Sequence, residues 1–157
     1  MDIIRRNTDY AMRLMVNLAM HFDYGFISSR ILSEEEDVSR HLSCKLLQKL
    51  NAAGLVRSTM GANGGYSLSK TPSEINLSNV IDVIQGPLAI NRCFLSKDAC
   101  PRQTTCPITQ KLKGLQSYLT ESLSSITFAD LVKALSKEQQ VETGGIKTGT
   151  NKSILSK

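Results

Sequence analysis

Three of the chain's four cysteines fall in one stretch, Cys93-Phe-Leu-Ser-Lys-Asp-Ala-Cys100-Pro-Arg-Gln-Thr-Thr-Cys106-Pro107, spaced C-x6-C-x5-C. Pro101, Pro107, Asp98 and the small polar residues around them are loop chemistry, not helix or strand chemistry. A loop can wrap several thiolates round one centre, whereas a regular helix or strand would point some of them away. Soft sulfur ligands from a single loop suit a thiophilic metal centre, with iron–sulfur clusters and zinc leading. Buried reduced thiols, or a disulfide with one cysteine left over, are the bland alternatives, and the tight clustering argues against both. Neither His21 nor His41 is placed by pattern to complete such a set.

A second constellation is basic and polar. In the stretch from Arg40 to Ala53, ended by Gly54, the residues Leu42, Leu46, Leu47, Leu50 and Ala53 recur at helical spacing as a core stripe. Arg40, His41, Cys44, Lys45 and Gln48 then share the other face. A thiol is a poor reader of bases, so Cys44 reads as a small filler at the rim of that helix. A shorter helix precedes it, introduced by Ile27-Ser28-Ser29 and running to about Glu36, with Ser28 or Ser29 as cap and Ile31 and Leu32 facing inward. The acidic run Glu34 to Asp37 would repel phosphates and is expected to face solvent. Two short helices joined by a tight turn at Val38-Ser39 match a helix-turn-helix.

Strand signals follow at once: Leu55 to Ser58, a glycine-rich tip from Met60 to Gly65, and a return over Tyr66 to Ser69. Asn63-Gly64 is a hairpin signal because both residues tolerate positive φ. A hairpin directly after a helix-turn-helix makes the winged variant. Its glycines let backbone N–H groups approach phosphates, with Arg57 and Lys70 flanking the ribbon. Arg40, His41, Cys44, Lys45 and Gln48 are therefore the candidate base-reading face. Ser28, Ser29, Ser39, Arg57 and the tip residues Asn63, Gly64 and Gly65 suit the phosphate backbone.

The remaining elements must position these two sites. Residues 8–22 form a first helix with an apolar stripe of Tyr10, Ala11, Leu14, Met15, Leu18, Ala19 and Phe22, capped by Asn7 or Thr8, with Gly25 past its end. By position alone, Asp9 complements the positive end of that helix. After Pro72, a short extended piece leads to a helix capped near Ser78 and stopped by Gly86-Pro87. Beyond the cysteines, about Ile108 to Ser124 forms a long amphipathic helix with a seam of Leu112, Leu115, Leu119 and Leu123, flanked by Ile108 and Tyr118. Such a helix on a small protein pairs readily with its symmetry mate. A last short helix, Phe128 to Leu135, is capped by Thr127 or Ser125. The chain thus divides into a winged helix-turn-helix domain (1–86), a cysteine-rich loop (87–107), a dimerisation helix with a short C-terminal helix (108–135), and a tail (136–157) whose composition predicts disorder.

Composition narrows the classes further. With 157 residues, 41% apolar, the chain can bury one domain core. Aromatic residues make up only 5%, with no Trp, so the stacking platforms of single-strand binders are missing. Net charge +5 admits an anionic partner. Few, clustered cysteines fit a reducing cytoplasm better than a secreted disulfide scaffold. Asp9, Arg13 and Asn17 interrupt the first apolar residues, against a signal peptide, and no run of about eighteen apolar residues supports a membrane span. No Ser/His/Asp set, phosphate loop or paired-carboxylate pocket points to an enzyme.

Taken together, the fold is expected to be mainly α with a small β-hairpin wing. The sequence resembles the IscR/NsrR/RirA branch of the Rrf-type winged-helix transcription regulators. The resemblance is carried by Thr8-Asp9-Tyr10-Ala11-Met12-Arg13, by Leu46-Leu47-Gln48-Lys49-Leu50 with Ala53-Gly54-Leu55-Val56-Arg57, and by Gly61-Ala62-Asn63-Gly64-Gly65-Tyr66. It continues through Ile81 to Gly86, the three loop cysteines, and Ile126-Thr127-Phe128-Ala129-Asp130-Leu131. What it implies is a homodimer that binds a palindromic operator in double-stranded DNA and holds one iron–sulfur cluster per protomer. Cys93, Cys100 and Cys106 match the family's cluster ligands. Where IscR-like members place a histidine three residues after the last cysteine, this chain has Thr109. Asp9 matches the aspartate that NsrR-like members supply across the dimer, so the resemblance favours a [4Fe–4S] cluster with Cys3Asp ligation over a [2Fe–2S] form. Nitric oxide, redox state or iron supply would be the signal. The rivals are a zinc- or disulfide-switched winged-helix repressor and, in a different class, an iron–sulfur electron carrier or cluster-transfer protein, which leaves the wing unexplained.

Overall fold

One helix is surrounded by nearly everything else. In the computed structural model, which describes residues 3–61, 63–96 and 99–144 with the side chains of 138–144 excepted, α1 spans Arg6–Met20. It packs against α2 (Ser29–Glu35), α3 (Arg40–Ala52), α4 (Leu77–Ile84), the hairpin strand β2 (Gly65–Leu68) and α6 (Phe128–Gly144). The apolar stripe read from the sequence is the cause. Ala11, Leu14, Met15, Leu18 and Ala19 are buried on it and join Leu32, Leu46, Leu47, Leu50, Val56, Leu68, Ile75, Val80 and Phe128 in a single core. Each large aliphatic side chain so buried contributes about 1.5–3 kcal/mol.

The start of α1 differs from expectation. Its N-cap is Arg5, and no local side chain caps it. Gln85, from the end of α4, does that work instead. Its Oε1 accepts from the Arg5 N–H at 2.9 Å and the buried Thr8 hydroxyl at 2.7 Å, while its Nε2 donates to the Ile3 carbonyl at 3.0 Å. A partner so distant in sequence leaves no local signal.

The helix-turn-helix forms as expected, with Ser28 and Ser39 accepting from the N–H groups of Ile31 and Leu42 at the starts of α2 and α3. Its turn is a left-handed cap on Asp37 (φ +50), closed by the Val38 N–H on the Ser33 carbonyl. The acidic run is not wholly solvated. Asn17 Nδ2 donates to Glu35 and Glu36 at 2.8 and 2.9 Å, and Arg13 pairs with Glu36 at 3.4 Å, tying the turn to α1. Two inward assignments fail, because Ile31 and Ala53 are exposed. Gly54 (φ +73) ends α3, and the Leu55 N–H returns to the Leu50 carbonyl.

The hairpin pairs β1 (Val56–Thr59) antiparallel to β2, with Val56 opposite Leu68 and Thr59 opposite Gly65. Asn76, not Ser78, caps α4 by a reciprocal bond with Asn79. The long helix α5 spans Pro107–Ser125 and rests on α4. It buries no residue fully, and Ile108, Leu115 and Tyr118 stay 63%, 54% and 69% exposed. No helix among the described residues is long and apolar enough to cross a membrane.

The C-terminal helix is no appendage. Phe128 is fully buried in the core. Its N–H bonds the Ile75 carbonyl, and the Leu77 N–H bonds Ile126, so the start of α6 is zipped to the start of α4. Thr127 and Asp130 cap α6 reciprocally, the hydroxyl donating to Asp130 Oδ2 at 2.6 Å and the Asp130 N–H donating to the Thr127 hydroxyl at 3.2 Å. α6 then continues to Gly144, through residues whose composition predicts a disordered tail; the expectation for 145–157 lies outside the described residues.

Phe128→Ala should destabilise the whole fold by about 3–5 kcal/mol, read as a shift of one cooperative urea transition. The bonds from Thr127 hold the Asp130 carboxyl below its ordinary pKa, and those from Thr71 do the same for Glu74. A depressed folded-state pKa stabilises above the unfolded value, and that stabilisation is lost as pH falls through the folded one. Thr127→Ala should therefore flatten the acid side of the stability profile below about pH 4, measured by denaturation at stepped pH.

Candidate nucleic-acid interface and cysteine loop

α3 turns its leucines inward and so presents Arg40, His41, Lys45 and Gln48 to solvent, with Cys44 half-buried. His41, Cys44, Lys45 and Gln48 line one shallow depression of about 330 Å³. Burial first, and then the negative charge that a Cys44 thiolate would carry, raise the Tyr66 hydroxyl of the wing above its ordinary pKa.

The wing shares the core with the helix-turn-helix through Val56 and Leu68 and is tied to the approach to α2 by two backbone bonds. The Ile27 N–H donates to the Tyr66 carbonyl at 2.9 Å, and the Tyr66 N–H returns to the Ile27 carbonyl at 2.8 Å. This bridge explains the glycines differently from the hairpin rule. Positive φ falls on Gly61 (+112), not on Asn63-Gly64. Gly64 and Gly65 are required for space: a Cβ would meet the Thr59 carbonyl oxygen at 2.5 Å in the first case and that of Ile27 at 2.2 Å in the second. Between the start of α2 and the tip lies a cavity of about 350 Å³ lined by Ser28, Ser29, Ser58, Thr59, Met60, Gly61, Gly64, Gly65 and Tyr66. The Arg57 guanidinium lies 5.3 Å over the Phe26 ring, and Asn63 is exposed at the tip. Hydroxyls and glycine backbone gathered round a groove are groups that suit a phosphate.

The cysteine loop is held by side-chain amides at its start and across its middle. Gln116 of α5 donates to the Leu88 carbonyl and accepts from the Ile90 N–H, each at 2.9 Å. Gln103 donates to the carbonyls of Cys93 and Ser96. Cys93 sits buried in a 3-10 turn, Arg92–Phe94, and accepts from the Thr109 hydroxyl at 3.4 Å. Cys106 immediately precedes α5, where the Thr109 backbone N–H, the Thr109 hydroxyl and the Ile108 N–H hold its thiol below the usual range. Thr109 therefore serves two sulfurs. Cys100 is half-buried, and every cysteine is a free thiol. Among the described residues no three His, Cys, Asp or Glu side chains converge on one metal position; Lys97 and Asp98 lie outside them. Asp9 stands exposed in the first turn of α1. The donor set fits a thiophilic centre in kind: free thiols on one loop, one of them biased toward thiolate. Sequence reading missed Gln85, Gln103, Thr109 and Gln116, whose only signal is amides and a hydroxyl flanking a loop.

A helix-turn-helix with a backbone-tethered wing and a basic outer helix face defines a winged-helix DNA-binding regulator. More particularly, the chain belongs to the Rrf2 family: the model described as "Iron-dependent Transcriptional regulator" matches residues 4–134. These are regulators of transcription, not enzymes. The chain is 34% identical over 134 residues to protein aau3 of Rhizobium meliloti, covering 83% of this chain and 85% of that one. It is 27% identical to the HTH-type transcriptional regulator IscR of Aliivibrio salmonicida, covering 93% and 86%. Among solved structures it superposes on CymR, the global cysteine regulator of B. subtilis, with a TM-score of 0.69 and 27% identity over 85% of this chain and 98% of that one. T. potens IscR matches with a TM-score of 0.66 and 27% identity over 93% of each.

Gly65→Ala should pull the wing off α2. The expected result is faster hydrogen exchange at the Ile27 and Tyr66 amides with the α1 amides unchanged, and unaltered exchange at those two amides would contradict the tether.

Proposed function

We propose that this Rrf2-family protein is a cytoplasmic homodimer that binds a palindromic operator, its affinity set by an iron–sulfur cluster on the cysteine loop. One observation carries the reading: the loop's two ends are pinned to the elements that would set the spacing of the DNA-reading helices. Its beginning follows directly from Gln85, which clamps the start of α1, and α1 packs on α3. Its end is the first turn of α5, whose exposed Ile108, Leu115 and Tyr118 offer an apolar strip for a second copy.

Cys93, Cys100 and Cys106 would hold the cluster, with Asp9 of the opposing protomer as fourth ligand and [4Fe–4S] favoured, one per protomer. Thr109 supports an aspartate over a local nitrogen ligand, since its side chain carries no nitrogen at the position where IscR-like members place a histidine. Asp9 is exposed, so it is free to reach outward. A bound cluster supplies redox and nitric-oxide reactivity at iron, most readily where a hard carboxylate replaces a thiolate. The chain's own residues do the rest. Arg40, His41, Lys45 and Gln48 meet base edges, and Ser28, Ser29, Ser39, Arg57, Asn63, Gly64 and Gly65 lie along phosphates. Two reading helices must match major grooves about 34 Å apart, so a small change at α1 registers as affinity.

Protein reconstituted with iron and sulfide without air should be brown. Cys93→Ala, Cys100→Ala and Cys106→Ala should each lose the visible absorbance, and Asp9→Ala should leave a cluster more easily lost. Binding to a duplex enriched from a random pool should differ about tenfold between loaded and cluster-free protein. A colourless protein with stoichiometric zinc, or equal affinity in both states, would overturn the cluster reading while leaving the regulator intact.

A further inference from the structure

The wing tip carries one side chain that no other part of the fold uses. Met60 is 100% exposed, the most extreme of the large apolar residues. From Ser58 to Gly65 the sequence is Ser-Thr-Met-Gly-Ala-Asn-Gly-Gly, so Met60 is the longest side chain there and no charge accompanies it. An apolar chain standing in water at the end of a ribbon has no stabilising role in the free protein.

The ribbon that carries it is stiff. Four residue pairs hold β1 to β2, and the Ile27–Tyr66 bridge fixes the ribbon to the start of α2. The turn is tight at Gly64, where a Cβ would meet the Met60 carbonyl carbon at 2.8 Å. Met60 also lines the hydroxyl-rich groove between α2 and the tip. A phosphate strand seated in that groove would place Met60 beside it, over the adjoining base edges.

We propose that Met60 is an apolar wedge that enters the minor groove of the bound duplex and presses on a base step, making the wing tip a determinant of sequence preference. This rests on the DNA-binding reading above. The minor groove is about 6 Å wide and 7.5 Å deep, so a single unbranched side chain on a glycine-flanked tip can follow its floor. Wedges of this kind partly unstack a step and bend the duplex, at least cost at flexible pyrimidine–purine steps. The preference would thus be for TA or CA over AA or GC at that position, read through deformability and not hydrogen bonds. A rigid ribbon is needed, since a mobile tip would yield before the stacked bases do.

The test uses the full-length chain and a duplex enriched from a random pool by the wild type. Kd is measured by anisotropy and bend by end-label energy transfer, across a series with TA, CA, AA or GC at the wing-facing step. Met60→Ala and Met60→Gln should each weaken binding to the TA duplex about tenfold, lessen the bend, and level the ranking of the four steps. Met60→Leu should preserve all three, and an exposed position leaves folding unaffected. Met60→Ala that binds, bends and ranks like the wild type overturns the wedge alone. A wild type that enriches no sequence overturns the regulator reading, and the wedge with it.

Discussion

Burial of one face of α1 is the constraint on which the structure depends. Ala11, Leu14, Met15 and Leu18 present an apolar strip that a lone helix cannot hide, and five other elements close over it. Those elements are the helix-turn-helix, the returning wing strand, α4 and α6. The polar outer face of α3 is therefore a by-product of core packing: α3 turns its leucines inward, and its polar residues are left outside on a rigid bed. Close packing resists gradual deformation, so an axial shift of α1 must carry α3 with it.

Polar side chains then decide how the elements are joined. Gln85 binds the beginning of α1 from the end of α4, Gln116 binds the beginning of the cysteine loop from α5, and Gln103 spans the loop itself. Each satisfies backbone groups that loops and helix ends leave open. The same three amides make the loop part of the framework. Its cysteines are presented by an anchored segment, with Thr109 touching Cys93 and biasing Cys106. A loop anchored in this way moves with the helices it is bonded to, whereas a loose one would move apart from them.

The wing shows the same economy. Ile27 and Tyr66 exchange two backbone bonds, so the groove beside the tip has walls from both the helix-turn-helix and the hairpin, and Gly65 is demanded by their closeness. The outer face of α5 remains outside this framework, with Ile108, Leu115 and Tyr118 exposed.

Periodicity and punctuation made α1, the helix-turn-helix, the hairpin and α5 legible in the sequence, because apolar spacing and glycine stops are local properties. Ser28 and Gly54 act as their positions predict. The cysteine spacing likewise marked the loop. Only the tertiary structure showed that Gln85 caps α1, that Asn17 and Arg13 draw in the acidic run, and that Gly64 and Gly65 are there for space while Gly61 takes the positive φ. It also drew Phe128 into the core and left Ile31 out. Each of these depends on groups far apart in the chain meeting in space, and a pattern read along a chain carries no information about which distant surfaces will touch.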